Sequence, residues 1–383
     1  MMVSRLVAVI ISRSIPAGYR AGPCAGPEEH LSPNFRDRLV NQEPRNILVL
    51  DFGQLGDVVL SLPALSAIRG RFPQARITVA GGSATASVVE MSGAANLTLP
   101  IDRVSLRDGP KLHSLARLAR LVGDVRRARY DLVIDLHSLS ESNLLGYLSG
   151  APARLFAQRG GRSLDFLATM RAPWEDRDKH LVDRYLDALT PLGVADAPRV
   201  PHLRTRREDD EAVQRMLQER GAAGEQPLVG LFPGASLPQK RWPLERFAEV
   251  ASRLEHNDGA RVVLFLGPEE IAMARQVRAA FSTAAIVLDG LTLAQLASAA
   301  ARLALLISND TGPMHLAAAV GTPVLLLLGA AVRGPYWFGP VGEHHRTITR
   351  PALPQITAAE VYSVAHSMLH AVGRDPRRLA QNA

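Results

Sequence analysis

The stretch "SNDTGPMHLAAAVGTPVLLLLG", Ser308 to Gly329, decides how the chain is read. The apolar run ahead of it, "LALLI" from Leu303, ends in Asn309-Asp310-Thr311-Gly312-Pro313, and a helical pattern and a second apolar run follow. Strand, tight turn, helix and strand, both runs apolar without alternation, is the pattern of a parallel sheet buried on both faces. The turn places a carboxylate, a hydroxyl, a glycine and His315 within eight residues. It reads either as punctuation between strand and helix or as a pocket for an anion, which backbone amides and the helix dipole favour at a helix N-terminus.

The same grammar extends on both sides. Upstream, "PLVGLFPG" (Pro227–Gly234), "RVVLFLG" (Arg261–Gly267) and "AAIVLDG" (Ala284–Gly290) read as strands alternating with helices. In "WPLERFAEVASRL", Pro243 suits a first helical turn, and Leu244, Phe247, Ala251 and Leu254 form the apolar face. Asp209–Arg220 reads as a helix ahead of this unit, and a charged, proline-containing stretch over 196–207 reads as a linker. Before it lies another α/β unit. Strands are expected at Asn46–Phe52, Ala75–Gly82 and Tyr130–Ser138, with a helical pattern through Val58, Leu62, Leu65 and Ile68, where Pro63 implies a kink or a restart, and another over Lys111–Arg129. Arg171–Val194 reads as one charged helix, and "TAAEVYSVAHSMLHAVG" as a last amphipathic one. The expected fold class is α/β, with units at 45–196 and 197–350 and a C-terminal helix and tail over 351–383. A ligand site is expected in the cleft between the units, at the carboxyl ends of the strands.

Composition narrows the function. Of 383 residues, 47% are hydrophobic and 21% charged, as in a globular chain with room for two ordinary domains. No apolar run approaches the roughly 20 residues that span a bilayer. A single cysteine, Cys24, excludes an internal disulfide and fits a reducing compartment. The 44 Lys and Arg against 37 Asp and Glu give a net charge of +7, which suits phosphorylated or anionic partners. Aromatic residues are only 5% and no basic block is interleaved with them, so nucleic acid is not expected. Residues 1–44 carry a short apolar run followed at once by Arg13 and then a Pro/Gly-rich stretch. They read as a disordered extension or a start placed upstream, and not as a signal peptide.

Three stretches can carry chemistry. In "DFGQLGDVV", Gly53 and Gly56 permit a tight turn and Asp57 opens the helix; alone it is a capping aspartate, and the spacing matches neither the dinucleotide nor the Walker fingerprint. In "FPGASLPQKRWP", Gly234, Ser236 and Lys240 give a loop open to an anion, a donor and a full charge, or else an ordinary surface loop. The third is the opening stretch. "DRD" (Asp176–Asp178) opens a charged helix and reads as solvated, and "GEHHR" (Gly342–Arg346) as a surface turn. His137, ending an apolar strand, is a further candidate for the substrate cleft.

In order, "LGDVVLSLPAL", "FPGASLPQKRWP" and "SNDTGPMHLAAAVGTPV" resemble the glycosyltransferase family 9 proteins, the lipopolysaccharide heptosyltransferases, over Arg45 to about Gly373. The resemblance implies a GT-B fold, two Rossmann-like domains facing across a cleft, with the C-terminal helix returning to the first domain. It implies inverting transfer of heptose from ADP-heptose, or another nucleotide sugar, to a hydroxyl of a phosphorylated lipopolysaccharide inner-core acceptor. Asp57 would be the base. Gly234, Ser236 and Lys240 would hold the donor phosphates, with Asp310, Thr311, Gly312, Pro313 and His315 around the same diphosphate and sugar. Glu270 would hold the ribose, unless Glu269 does, and Leu291 would line the adenine pocket; Gly53, Gly56 and His137 would lie on the acceptor side. No metal and no cofactor is implied, and the expected place is the cytoplasm, peripheral to the anionic inner membrane. Ala235-Ser236 stands where relatives carry two hydroxyls, and Gly329–Gly342 departs from the family's usual run. Two rival readings are a silent nucleotide-sugar-binding protein and a nucleotide-sugar epimerase.

Overall fold

The computed structural model describes residues 43–102, 110–159, 163–194, 197–222, 224, 226–267, 274–281, 285–329 and 335–372. From Pro44 onward the chain is one compact unit built around two six-stranded parallel sheets. The first holds β1 (Asn46–Asp51), β2 (Arg76–Gly82), β3 (Leu97–Ile101), β4 (Leu132–Asp135), β5 (Ala153–Gln158) and β6 (Met170–Trp174), in the order β3-β2-β1-β4-β5-β6. The second holds β7 (Leu228–Phe232), β8 (Arg261–Leu266), β9 (Ile286–Asp289), β10 (Leu305–Asn309), β11 (Val324–Gly329) and β12 (Arg346–Arg350), in the order β12-β11-β10-β7-β8-β9. Counted within its own half, each sheet has the doubly wound order, with reversal points between β1 and β4 and between β7 and β10. At such a point the helices leave on opposite faces and a crevice opens beyond the strand ends.

Four helices flank the site, α1 (Leu55–Arg71), α2 (Leu181–Asp187), α3 (Leu244–Asp258) and α4 (Gly312–Ala319), and a fifth, α5 (Ala358–Val372), packs in the second-half core. The central strands β1, β4, β10 and β11 are buried along nearly their whole length, which is why they read as continuous apolar runs. The outer strands do not. In β12 only Ile348 is fully buried, and in β6 only Met170 and Ala172.

Several expectations are corrected. Arg171–Val194 is not one helix: β6 ends at Trp174, and only Leu181–Asp187 is α-helical before a short 3₁₀ turn. Of the two outcomes expected at Pro63, the restart does not occur: α1 runs continuously through it from Leu55 to Arg71. Pro243 is the N-cap of α3, one residue ahead of the first turn. The C-terminal helix does not return to the first half. The apolar face of α5, Val361, Ala365 and Met368, joins the core formed by Phe247, Val250 and Leu254 of α3 under the second sheet. The reason is burial: that helix face covers the apolar side of α3 and of the second sheet.

Candidate active site

The two halves meet turn against turn. Beyond β1 the chain bends through Gly53 and Gly56 into α1, and beyond β10 through Asp310 and Thr311 into α4. Gly56 lies against His315: a Cβ on Gly56 would stand 3.0 Å from His315 Cδ2. A Cβ on Gly312 would stand 2.8 Å from Leu55 Cβ. These contacts put the N-termini of α1 and α4 side by side at the strand ends of both sheets. Two helix N-termini aimed at one place make a strong setting for a polyanion.

On the first side the turn is tied down by buried ionisable groups. Asp51, the last residue of β1, accepts from Ser61 Oγ at 2.5 Å and from the Gly53 amide at 3.3 Å, and pairs with His137 Nε2 at 2.7 Å. Burial pushes its carboxyl up, but the His137 charge and these hydrogen bonds outweigh burial and hold it below the usual aspartate range. Tyr185 of α2 closes the group, its hydroxyl 3.2 Å from the same His137 nitrogen, and burial raises the phenol well above its ordinary value. His137 is therefore engaged in the wall of the site. Gly53 is required beside it: a Cβ there would stand 2.6 Å from His137 Nε2 and 2.5 Å from Asp57 Cβ.

Asp57 sits at the third position of α1, half-buried, and its Oδ2 accepts the Gln54 amide at 3.1 Å. That is a capping bond, and it also fixes the carboxylate at the mouth of the crevice. At the end of β4, Asp135 accepts the amides of His137 and Ser138 at 3.0 and 2.7 Å and the Asn143 side chain at 2.8 Å. Burial leaves its pKa raised in spite of these bonds. It holds Ser138 at φ 50°, backbone strain at a functional turn.

Past β5 and β6 stands a second buried charge group. Arg159 and Arg184 both approach Glu175 Oε1, at 3.2 and 3.3 Å, so two guanidiniums share one carboxylate. Nε and Nη2 of Arg184 are buried without a hydrogen-bond partner. Arg159 also lies over the Tyr185 ring, 5.2 Å from its centre. Across from it, Arg184 lies over Phe338, and His180 Nε2 donates to Gly339 O at 3.0 Å, so the second half closes on α2 here. His180 Nδ1 accepts the Val182 amide at 3.2 Å, which fixes the tautomer. Burial lowers its pKa.

On the second side the group that ends the strand is neutral. Asn309, the fully buried last residue of β10, accepts the Trp242 amide at 3.1 Å and donates to Pro233 O at 2.8 Å. It therefore clamps both ends of the loop carrying Gly234, Ser236 and Lys240. Arg241 Nε closes the loop on Ala235 O at 2.7 Å. Lys240 reaches into the site and pairs with Asp310 Oδ2 at 2.7 Å, while Ser236 is exposed and Gly234 buried. Thr311 is the N-cap of α4, and Pro313, in its first turn, contributes no amide. His315 is 5% exposed, and burial lowers its pKa to about 4, so it is neutral at pH 7. Its Nδ1 is buried without a hydrogen-bond partner.

Leu291 follows β9 and is half-buried against the second-half core. Glu270 and Glu269 lie outside the described residues. Thus Gly53, Gly56, Asp57 and His137 of the first half come together with Lys240, Asp310, Thr311, Gly312, Pro313 and His315 of the second. The residues not singled out from the sequence are Asp51, Asn309, Tyr185, Arg159, Glu175 and Arg184. Asp51 and Asn309 carry a linear signal, a polar residue ending a buried apolar strand; the others do not.

Two doubly wound α/β halves sharing one crevice, with a helix start from each half beside it, make the GT-B fold. The profile of Glycosyltransferase family 9 (heptosyltransferase) matches residues 118–361, and the chain belongs to that family. Among curated relatives, lipopolysaccharide heptosyltransferase 2 of Salmonella typhimurium is 27% identical over 314 residues, covering 79% of this chain and 87% of the relative. Among solved structures, a family 9 glycosyl transferase from Veillonella parvula superposes with a TM-score of 0.76 at 26% identity, covering 85% of this chain and 97% of that one. The ADP-heptose lipopolysaccharide heptosyltransferase II of E. coli superposes at 0.72 and 23% identity, covering 85% and 99%. The protein is a glycosyltransferase.

Proposed function

We propose that this enzyme moves a heptose from ADP-heptose to a hydroxyl of a phosphorylated lipopolysaccharide inner-core acceptor, with inversion at the anomeric carbon. The observation that carries the reading is the meeting of Gly56 and His315, which brings Asp57 to the same crevice as Lys240 and the α4 N-terminus. In this reading the half over 197–350 holds the donor and that over 45–196 the acceptor. The diphosphate rests on the first-turn amides of α4, with Lys240 shifting from Asp310 toward it and His315 offering a neutral N–H. Asp57 accepts the proton of the acceptor hydroxyl as its oxygen attacks the anomeric carbon. The bond from that carbon to the diphosphate breaks on the opposite face, and its electron pair leaves with ADP. Lys240 and the helix dipole offset the charge that develops there. Arg159 and Arg184, which outnumber Glu175, suit an anionic group of the acceptor.

The name of the Salmonella relative and the family match support the choice of sugar and acceptor. The surplus of basic residues supports a cytoplasmic enzyme that sits against the anionic inner leaflet. Calorimetric titration of the purified protein with ADP-heptose, UDP-sugars and GDP-sugars, followed by an acceptor assay, tests the reading. Selective ADP-heptose binding and an acceptor-dependent product are expected. Binding without product would mark a silent nucleotide-sugar-binding protein, and an isomerised donor formed without acceptor would mark an epimerase.

A further inference from the structure

Far from the crevice, α5 carries His366 and His370 one turn apart, so both imidazoles leave the same face of the helix. They face Asp258, the last residue of α3. Asp258 precedes β8, whereas the crevice lies beyond the carboxyl ends of the strands, so this cluster sits at the opposite end of the second sheet. His366 Nδ1 is 2.5 Å from Asp258 Oδ1, and His370 Nε2 is 3.4 Å from the same oxygen. One ligand atom from each of the three lies within 4.8 Å of the others. The two imidazole rings stand edge to face, 4.3 Å apart.

Hydrogen bonding alone does not account for this arrangement. The Asp258 side chain is only 2% exposed, and its Oδ2 is buried with no hydrogen-bond partner. A carboxylate out of water with one oxygen unanswered is costly, and a cation held between Oδ1 and the two imidazoles offsets the charge of the whole group. Two imidazoles and a carboxylate are a donor set for a zinc-type ion, which prefers nitrogen and oxygen ligands about 2.0–2.2 Å away. Around a tetrahedral ion such ligands stand roughly 3.3 Å from one another. The separation of Asp258 from His370 already matches that spacing, and His366 reaches it by a shift of under an ångström.

We propose that Asp258, His366 and His370 form a divalent transition-metal site of the zinc type that fastens the C-terminal helix α5 to α3. Its role is structural: the ion ties the helix that closes the second-half core and takes no part in transfer.

The full-length protein, stripped with chelator, is titrated with Zn²⁺ alone by calorimetry and with Co²⁺ alone by visible absorption. One saturable equivalent is expected, with a d–d spectrum of low coordination number. The Tm should rise by about 3 °C at a hundredfold excess of ion over Kd. His366→Ala and His370→Ala should each weaken binding at least tenfold, and the double variant should lose both the equivalent and the Tm gain. Asp258→Asn, of the same size, should weaken binding similarly. Transfer should stay within twofold with and without the ion. No saturable equivalent in the parent, or unchanged affinity in the folded double variant, overturns the proposal. An ion requirement for transfer overturns the structural role.

Discussion

At the end of β1 the turn into α1 is held by charge: Asp51 and His137 form a buried pair, with Ser61 and Tyr185 completing it. At the end of β10 the equivalent turn is held by a neutral amide, Asn309, which bridges Pro233 and Trp242. The backbone plan is the same and the holding chemistry is opposite. A side-chain amide keeps its geometry at any pH and leaves Lys240 and the amides of α4 to act on an anion. The buried ionisable network lies beside the carboxylate at the mouth, Asp57, with only Gly53 between His137 and that side chain. The comparison suggests one turn built for holding an anion and one for handling a proton.

The largest effect is expected at the proton-handling turn. Asp57→Ala should lower kcat by about 10³-fold, with the donor Kd by calorimetry within a few-fold of the parent. Asp57→Asn keeps an acceptor for the Gln54 amide. It should be equally slow; an Asn variant at full rate would return Asp57 to a purely capping role.

At the other turn, Asn309→Ala strips partners from the buried Trp242 amide and Pro233 carbonyl. It should cost about 3 kcal/mol in urea unfolding and weaken donor binding as the loop loosens. A loss below roughly 1 kcal/mol would mean that the loop holds without its clamp.

Acid should separate the turns further. His315 titrates at an ordinary 6.5 when unfolded and at about 4 when folded. Between those values the unfolded chain binds the extra proton, so stability is full above pH 6.5 and falls as pH drops toward 4. The loss approaches about 3 kcal/mol. His315→Asn should flatten that part of the profile measured by unfolding, and an unchanged slope would place the acid sensitivity elsewhere.

The smallest effects concern the loop itself. Lys240 is partly exposed and paired with Asp310. Lys240→Ala should raise the donor Kd by about tenfold. Ser236→Ala, at an exposed position, should change it less than twofold. A larger effect for Ser236 than for Lys240 would show that the loop refolds around the donor.

The α/β class was legible because the central strands are buried on both faces, so "NILVLD" and "LLISN" are unbroken apolar runs. Four strands escaped notice: β3, β6 and β12 at sheet edges, where one face meets solvent, and β5, whose run is interrupted by Arg154. Glycine turns and strand-end polar residues were visible for the same local reason. The chain must bend at once after a buried strand.

Local order along the chain, then, determined two parallel α/β units, the positions of the turns and the residue types in them. Tertiary structure alone decided that Gly56 faces His315, that Asp51 is answered by His137 from the neighbouring strand, and that Arg159 and Arg184 share Glu175. It also decided that α5 packs on α3 and sets two histidines against Asp258. The Gly56–His315, Asp51–His137 and α3–α5 pairings join residues far apart in the chain, and even the Arg159–Glu175–Arg184 group spans the break between β6 and α2. Periodicity and turn chemistry act over a few residues, whereas which surfaces meet depends on the burial and shape of the whole.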